Sequence, residues 1–316
     1  MPGIISSIAY VRLGAPDLDV QEKFLQEFGL LTVQRDADRL YMRGIGARPF
    51  IHVTERGESG VIAVGYDVHP DVPIASLQER FGAPLESIDE PGGGQRLCLL
   101  DPNGMRVELV QGRAALPELE RRNTLRGAVG DSKDRGPARI EQLVHTAYMT
   151  TRLQETMAWY QDHFGFLPTD ELFIGQPGNT LGRFVRVDMG DEPVFHHVLF
   201  IMRGEKDGLH HASFEVERVD EIFTGGDHLH GLNYDHVRGI GRHALGSQIF
   251  DYWMSPFDVM HEHWSSSEKM NAHSRFNEIQ IGPGMSHDSG ERPPERFVKQ
   301  ASPILQKQLP RQNHDH

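Results

Sequence analysis

The sequence is short of several things, and each shortage excludes something. Its 316 residues contain one cysteine, Cys98, which leaves no internal disulfide framework and no zinc site built on thiolates. No apolar run approaches the roughly 18 residues of a membrane span. The N-terminus, Met1-Pro2-Gly3-Ile4-Ile5-Ser6-Ser7, lacks the basic region and apolar segment of a secretory signal. Basic residues are the minority: 32 Lys+Arg against 45 Asp+Glu give a formal charge of -13, and no basic stripe is visible. That balance argues against nucleic acid and against an anionic membrane surface as partners. The expectation is a cytoplasmic protein acting on a small molecule, with local arginines meeting any anionic substrate.

What is present is an ordinary globular composition, 38% apolar and 24% charged, with enough apolar residues for a sizeable core. The length favours two domains. The 18 histidines are numerous, but their spacing matters more than their number.

The chain repeats itself. Residues 7–30 (SIAYVRLGAPDLDVQEKFLQEFGL) and 143–166 (LVHTAYMTTRLQETMAWYQDHFGF) each read as a strand, a turn and a helix ending in Phe-Gly. In the second copy Leu153, Met157, Tyr160 and Phe164 fall on one helical face. Thr151 and Gln154 suggest a capping box at its start, and Gly29 and Gly165 suit the left-handed residue that ends a helix. Residues 62–68 match 210–216, and Asp101-Pro102-Asn103-Gly104 matches Ser255-Pro256-Phe257-Asp258, each followed by Glu six positions after the proline. Three matches in the same order indicate duplication. Residues 112–139 read as a linker with a short helix around Leu116 to Arg122, and the polar text after about residue 268 as an extension over the core or a partly ordered tail ending in a frayed QNHDH. The expected division is a first domain over 1–112, a linker over 113–139, a second domain over 140–268 and an extension over 269–316.

The duplication lets the chain serve as its own control. Anchored on Phe28 and Phe164, Ala9 faces His145; anchored on Val68 and Val216, Ala63 faces His211; Glu108 faces Glu262. One copy reads Ala, Ala, Glu where the other reads His, His, Glu. Two imidazoles and a carboxylate form a facial triad that leaves positions open on a ferrous ion. Histidines on strands are more often structural. Here, however, two stand where the other copy has alanine, and a glutamate completes the set.

At this point the chain resembles the two-domain type I extradiol catechol dioxygenases of the vicinal oxygen chelate superfamily. The resemblance runs over about residues 5–265 and is most specific in GIGRHALGSQIFDYWMSPFDVMHEHW, residues 239–264. It implies an α+β fold of two tandem vicinal-oxygen-chelate domains, each a pair of βαβββ modules, with metal kept only in the second. It implies His145, His211 and Glu262 as ligands of Fe(II), with Mn(II) accepted by the same set, and Tyr252 and His243 beside them. An acid–base histidine is expected 14–15 residues before the second ligand, where His197 is preferred and His196 remains open. Only one of that pair should face the metal if the segment is a regular strand. Ala147 stands where some members have asparagine. The implied substrates are dioxygen and a substituted, sometimes carboxylated, catechol, opened to a muconic semialdehyde-type product, and the implied assembly is a homo-oligomer.

Plainer readings stand beside these. Tyr252 could be an ordinary aromatic strand residue and His243 a loop residue. His210 and His263 alternate with the proposed ligands and should face away. Glu108 reads as a structural relic, Cys98 as core, and Gly92-Gly93-Gly94 as a loop. Arg238 and Arg242 could meet a substrate carboxylate or form surface salt bridges. Three other activities fit the same scaffold: a glyoxalase-like isomerase or lyase, a hydroxyphenylpyruvate-type dioxygenase, and a protein that sequesters aromatics without turnover.

Overall fold

The computed structural model describes residues 3–121, 136–282 and 288–305. Runs rich in valine, isoleucine and aromatics form strands, and amphipathic stretches form the helices between them, the first with a side-chain cap from Asp17. The first half has ten elements: β1 (Ile5–Ala15), α1 (Leu18–Phe28), β2 (Leu31–Arg35), β3 (Arg39–Arg43), β4 (His52–Arg56), β5 (Gly60–Val68), α2 (Ile74–Phe81), β6 (Leu85–Ser87), β7 (Gln95–Leu100) and β8 (Arg106–Gln111). They make two βαβββ modules in one sheet of order β2-β3-β4-β1-β5-β8-β7-β6. The second half repeats the plan with β9 (Ile140–Thr150), α3 (Leu153–Phe164), β10 (Leu167–Phe173), β11 (Thr180–Arg186), a two-residue β12 (Val194–Phe195) and β13 (Leu199–Arg203), then β14 (Gly208–Val216), α4 (Asp220–Gly231), β15 (Asp235–Arg242), β16 (Ile249–Met254) and β17 (Met260–Ser265). Its sheet runs β15-β16-β17-β14-β9-β13-β11-β10. In both halves the opening strands of the two modules pair antiparallel, and each pairs parallel with the last strand of its own module. The fold is α+β, two tandem units of paired βαβββ modules, the architecture that the resemblance implies.

The expected buried stripe forms on α3, where Leu153, Met157, Tyr160 and Phe164 are all buried. The expected capping box does not. The helix starts from Arg152 without a side-chain cap, because Thr151 gives both its amide and its hydroxyl to Asp207, at 2.7 and 3.0 Å. Gly29 and Gly165 do end their helices, with φ of +120° and +73°.

Pairing corrects one equivalence. Ser213 pairs with His145, and its counterpart Gly65 pairs with Tyr10. Tyr10, not Ala9, is therefore the counterpart of His145, and Arg12 that of Ala147. The slip arose because α3 has 12 residues and α1 has 11, so anchoring on the helix ends shifted the strands by one position. Ala63 and Glu108 keep their assignments.

Between the halves, the expected helix at 116–122 is absent over 116–121, and Arg122 lies outside the described residues. Leu116 and Leu119 instead donate their amides to Ala47 and Ile45, at 2.8 and 2.9 Å, and Pro117 disfavours a helical Leu116. The extension is laid over the core: β18 (Lys269–Met270) pairs with β12, β19 (Asn277–Gln280) with β10, and β20 (Ser302–Pro303) with β14, while α5 (Glu295–Val298) sets Phe297 against Tyr252. The terminal QNHDH lies outside the described residues. A single apolar cluster draws on both halves, with Phe28 against Phe214 and Tyr66 against Phe166.

Candidate metal centre

Strand register assembles the site. His145 on β9, Ser213 on β14, Glu262 on β17, Tyr252 on β16 and Arg238 on β15 form one transverse row across five neighbouring strands. Cross-strand partners share a face of the sheet, so this row points one way, and His211 lies two residues from Ser213 on the same face. The result is a tight polar triangle. His145 Nε2 lies 3.1 Å from His211 Nε2 and 3.3 Å from Glu262 Oε2, and His211 Nε2 is 3.4 Å from that oxygen. All three residues are buried, and they are the group of ligand-type side chains able to hold an ion among the described residues.

The donor set fits a divalent ion. Burial holds both imidazoles below their ordinary pKa, His211 well below, so each offers a lone pair rather than a charge. Burial alone would raise the Glu262 pKa, but the imidazoles of His145, His243 and His211 more than offset it and hold the carboxyl well below its usual range. Two lone pairs and an anion converging in a dry site repel unless a cation sits among them. Neighbouring ligands on an octahedral ion with bonds of about 2.2 Å lie about 3.1 Å apart, which matches the spacing here.

The histidine beside the second ligand completes the polarity. His210 Nε2 donates to the Phe297 carbonyl at 2.8 Å, and its Nδ1 lies 2.6 Å from His211 Nδ1. A carbonyl oxygen only accepts, so neutral His210 carries its proton on Nε2 and accepts at Nδ1. His211 then donates from Nδ1 and presents a bare Nε2 toward His145 and Glu262, the arrangement that a ligating histidine would need. His210 faces away, as expected, yet it orients the ligand.

Around the triangle, His243 Nε2 lies 2.9 Å from the Tyr252 hydroxyl and 3.7 Å from Glu262 Oε1. Burial and the Glu262 charge raise the Tyr252 pKa well above its ordinary value, so the phenol keeps its proton and can donate it in a hydrogen bond. The His197 ring packs 4.0 Å from that of His145. His196 and His197 lie in a bend between β12 and β13 rather than on a regular strand, so strand alternation does not separate them. Their rings stand at 89° with Nδ1 atoms 3.0 Å apart. His263 faces away, with Nε2 on the Phe28 carbonyl at 2.8 Å.

Of the two readings open in the sequence, Arg238 does not form a surface salt bridge. It is 4% exposed, and among the described residues its Nε and Nη2 have no hydrogen-bond partner. It lies between the rings of Phe250 and Phe297, at 4.4 and 4.9 Å. Arg242 is exposed and donates to the Ser247 carbonyl. Asp170, Phe297 and Asn277, which back the site, gave no signal in the sequence, because their relation to it depends on pairings over tens of residues.

In the first half the corresponding place is filled. The Tyr10 hydroxyl donates to Glu108 at 2.5 Å, and Arg106, Arg12 and Arg96 surround that carboxylate at 2.5, 3.6 and 3.6 Å. Fixed cations replace a metal there. A Cβ on Gly65 would lie 2.7 Å from the Tyr10 ring, so a residue without a side chain leaves room for the phenol. Cys98 is buried, as expected, and burial raises its thiol pKa to about 11.

Comparisons with known proteins agree with this plan. Residues 142–258 match the Glyoxalase/Bleomycin resistance protein/Dioxygenase superfamily. Over 264 residues the chain is 26% identical to metapyrocatechase 2 of Cupriavidus necator, covering 80% of this chain and 78% of that protein. Among solved structures, the Mn(II)-bound glyoxalase of Novosphingobium aromaticivorans superposes with a TM-score of 0.81 at 20% identity, covering 96% of this chain and 98% of that one. The complex of homoprotocatechuate 2,3-dioxygenase from Brevibacterium fuscum with 3,4-dihydroxyphenylacetate gives 0.80 at 19%, covering 96% and 94%. These structures support the fold. With the superfamily match and the metapyrocatechase, they agree with the resemblance read from residues 239–264.

Proposed function

We propose that the protein is an Fe(II)-dependent extradiol dioxygenase that opens a substituted catechol with dioxygen, its ion held by His145, His211 and Glu262. The observation that carries this reading is the pairing of that triangle with His197 on one side and the His243–Tyr252 couple on the other. A ferrous ion there supplies neighbouring coordination positions and a path for electrons between the diol and dioxygen.

The chain's own residues do the rest. Holding both reactants on one face of the sheet removes much of the entropic barrier to their meeting. Tyr252, fixed as a donor, and His243 hydrogen-bond the diol oxygens and orient the ring. His197 takes a proton from the diol and returns it during ring opening, which suits an imidazole. Both atoms of dioxygen end in the product, the bond beside the diol breaks, and no external reductant is required. Arg238, a buried guanidinium with unsatisfied donors two strands from Glu262, supports a catechol whose substituent carries a carboxylate. Mn(II) in place of Fe(II) remains compatible with the ligand set.

No helix among the described residues is long and apolar enough to cross a membrane, and a cytoplasmic location is part of this proposal. So is a homo-oligomer, for which Phe223 on α4, 52% exposed, and Leu232 just beyond it offer apolar surface. A glyoxalase-type reaction is the second reading, favoured by the superposition on the Mn(II)-bound enzyme. It gives no role to the His243–Tyr252 couple. Anaerobic loading with Fe(II), followed by oxygen uptake on unsubstituted, alkyl and carboxylated catechols, decides between them. One oxygen consumed per diol, with a new yellow chromophore lost in His211→Ala, is the expected result. Metal binding without oxygen uptake on any diol, together with turnover of a hemithioacetal, would overturn it.

A further inference from the structure

His196, the member of the histidine pair that the proposed mechanism leaves unused, is tied to a carboxylate on another strand. Its Nε2 lies 2.8 Å from Asp170 Oδ2 on β10, and its Nδ1 faces His197 Nδ1 at 3.0 Å. The other Asp170 oxygen accepts from Asn277 Nδ2 at 2.9 Å, and Asn277 sits on β19 directly beside Asp170 in the pairing. The Thr169 hydroxyl donates to the His196 carbonyl at 2.8 Å, which pins the backbone of the pair.

We propose that Asp170 and His196 are positioning residues that set the tautomer of His197. This rests on the dioxygenase reading above. Burial alone would raise the Asp170 pKa, but hydrogen bonds from His196 and Asn277, with Arg186 nearby, hold it below the usual carboxylate range. An ionised carboxylate only accepts, so His196 Nε2 carries a proton. With Nε2 engaged on Asp170, His196 offers its Nδ1 lone pair to His197, and a proton on His197 Nδ1 completes the 3.0 Å contact. That leaves the His197 proton on Nδ1 and a bare Nε2 as the basic nitrogen. The His210–His211 pair has the same logic, its outer end held by the Phe297 carbonyl instead of a carboxylate. Both outer anchors, Asn277 and Phe297, come from the C-terminal extension, which therefore sets the donor direction on two sides of the site. The ionisable groups in and around the pair are Asp170 and Arg186, and, from the site, His145, His243 and Glu262.

Asp170→Asn tests this directly. Its amide NH2 faces His196 Nε2 while its oxygen still accepts from Asn277, so the polarity of the line reverses with little change of shape. In the metal-free protein, 15N spectra of the histidine rings are expected to show His197 protonated on Nδ1 in the wild type and on Nε2 in Asp170→Asn. In the iron-loaded enzyme, Asp170→Asn is expected to lower kcat about 100-fold with KM within about threefold. Adding it to His197→Asn should cost nothing further, because the two act through one group. Unchanged ring tautomers in Asp170→Asn, or losses that multiply in the double variant, would overturn the assignment. If the wild type consumes no oxygen, the dioxygenase reading fails, and the ring spectra still decide the tautomer.

Discussion

At the residue scale the site works through which atom carries a proton. The clearest case is His210, whose bond to the Phe297 carbonyl forces His211 to present a bare Nε2. His210→Ala removes that constraint while leaving all three ligands, so iron affinity is expected to fall 10- to 100-fold, measured by competition with a chelator. Affinity within a factor of two of wild type would show that His210 only fills space. Tyr252→Phe keeps the ring and removes the donor. It is expected to lower kcat by roughly 10-fold or more with one iron still bound per chain, as read by steady-state kinetics beside metal analysis. Arg238→Ala is expected to raise KM for a carboxylated catechol about 10-fold or more and to leave an alkyl catechol nearly unaffected.

The buried carboxylate of the first half gives a stability prediction at the same scale. Burial raises the pKa of Glu108, but Arg12, Arg106 and Arg96 outweigh it and hold the group at about 2, below the ordinary 4.5. A carboxyl depressed in the folded state contributes stability above its unfolded pKa and loses it as the pH falls toward the folded value. The cluster should therefore supply on the order of 3 kcal/mol at neutral pH, fading between about pH 4.5 and 2. Arg12→Ala should destabilise the protein by about 1–3 kcal/mol at pH 7, because it removes one of three cations around a buried carboxylate that Arg106 and Arg96 still flank. Metal content should not change. Urea denaturation at pH 7 beside metal analysis checks both parts.

At the scale of elements, the duplication is what made the site legible. His211 and Glu262 emerged by comparison with Ala63 and Glu108, and the pairing of β14 with its neighbours confirms those equivalences. The comparison failed by one position at β1, because an extra residue in α3 shifts the count and a strand register cannot be read through a helix of different length. The capping box at Thr151 failed because Asp207, 56 residues away, competes for the same groups. The extension looked like a polar tail in sequence, yet its short strands β18, β19 and β20 pair with β12, β10 and β14. Strands of two to four residues leave no periodicity to detect. Asp170 carried no local signal, and the sequence offered Arg238 two readings without choosing between them, since a guanidinium or carboxylate looks the same in sequence whether its partners are buried aromatics, a histidine or water.

At the scale of the whole molecule, the halves share a core, and buried polar groups lie where they meet. Asn103 bonds Thr150 and Thr156 across that boundary, both at 2.9 Å, and Asp101 accepts the amides of Asn103 and Met105. Burial raises the Asp101 pKa to about 6 against those bonds. A raised folded pKa favours the folded state below the unfolded value and loses that advantage as the pH rises through about 6. Asp101→Asn keeps the acceptor without the charge, so it should raise the Tm at pH 8 and change it little at pH 4, measured by thermal unfolding at both.

We infer that the second half opens a catechol with both atoms of dioxygen, and that His145, His211 and Glu262 would hold the ion this chemistry needs. Turnover of the best catechol by the iron-loaded enzyme under 18O2 tests it most directly, with the product examined by mass spectrometry. Both labelled atoms are expected in a single ring-opened product, formed in equal amount to the oxygen consumed and absent with His211→Ala. A product with an intact ring, or with no label from dioxygen, would contradict it.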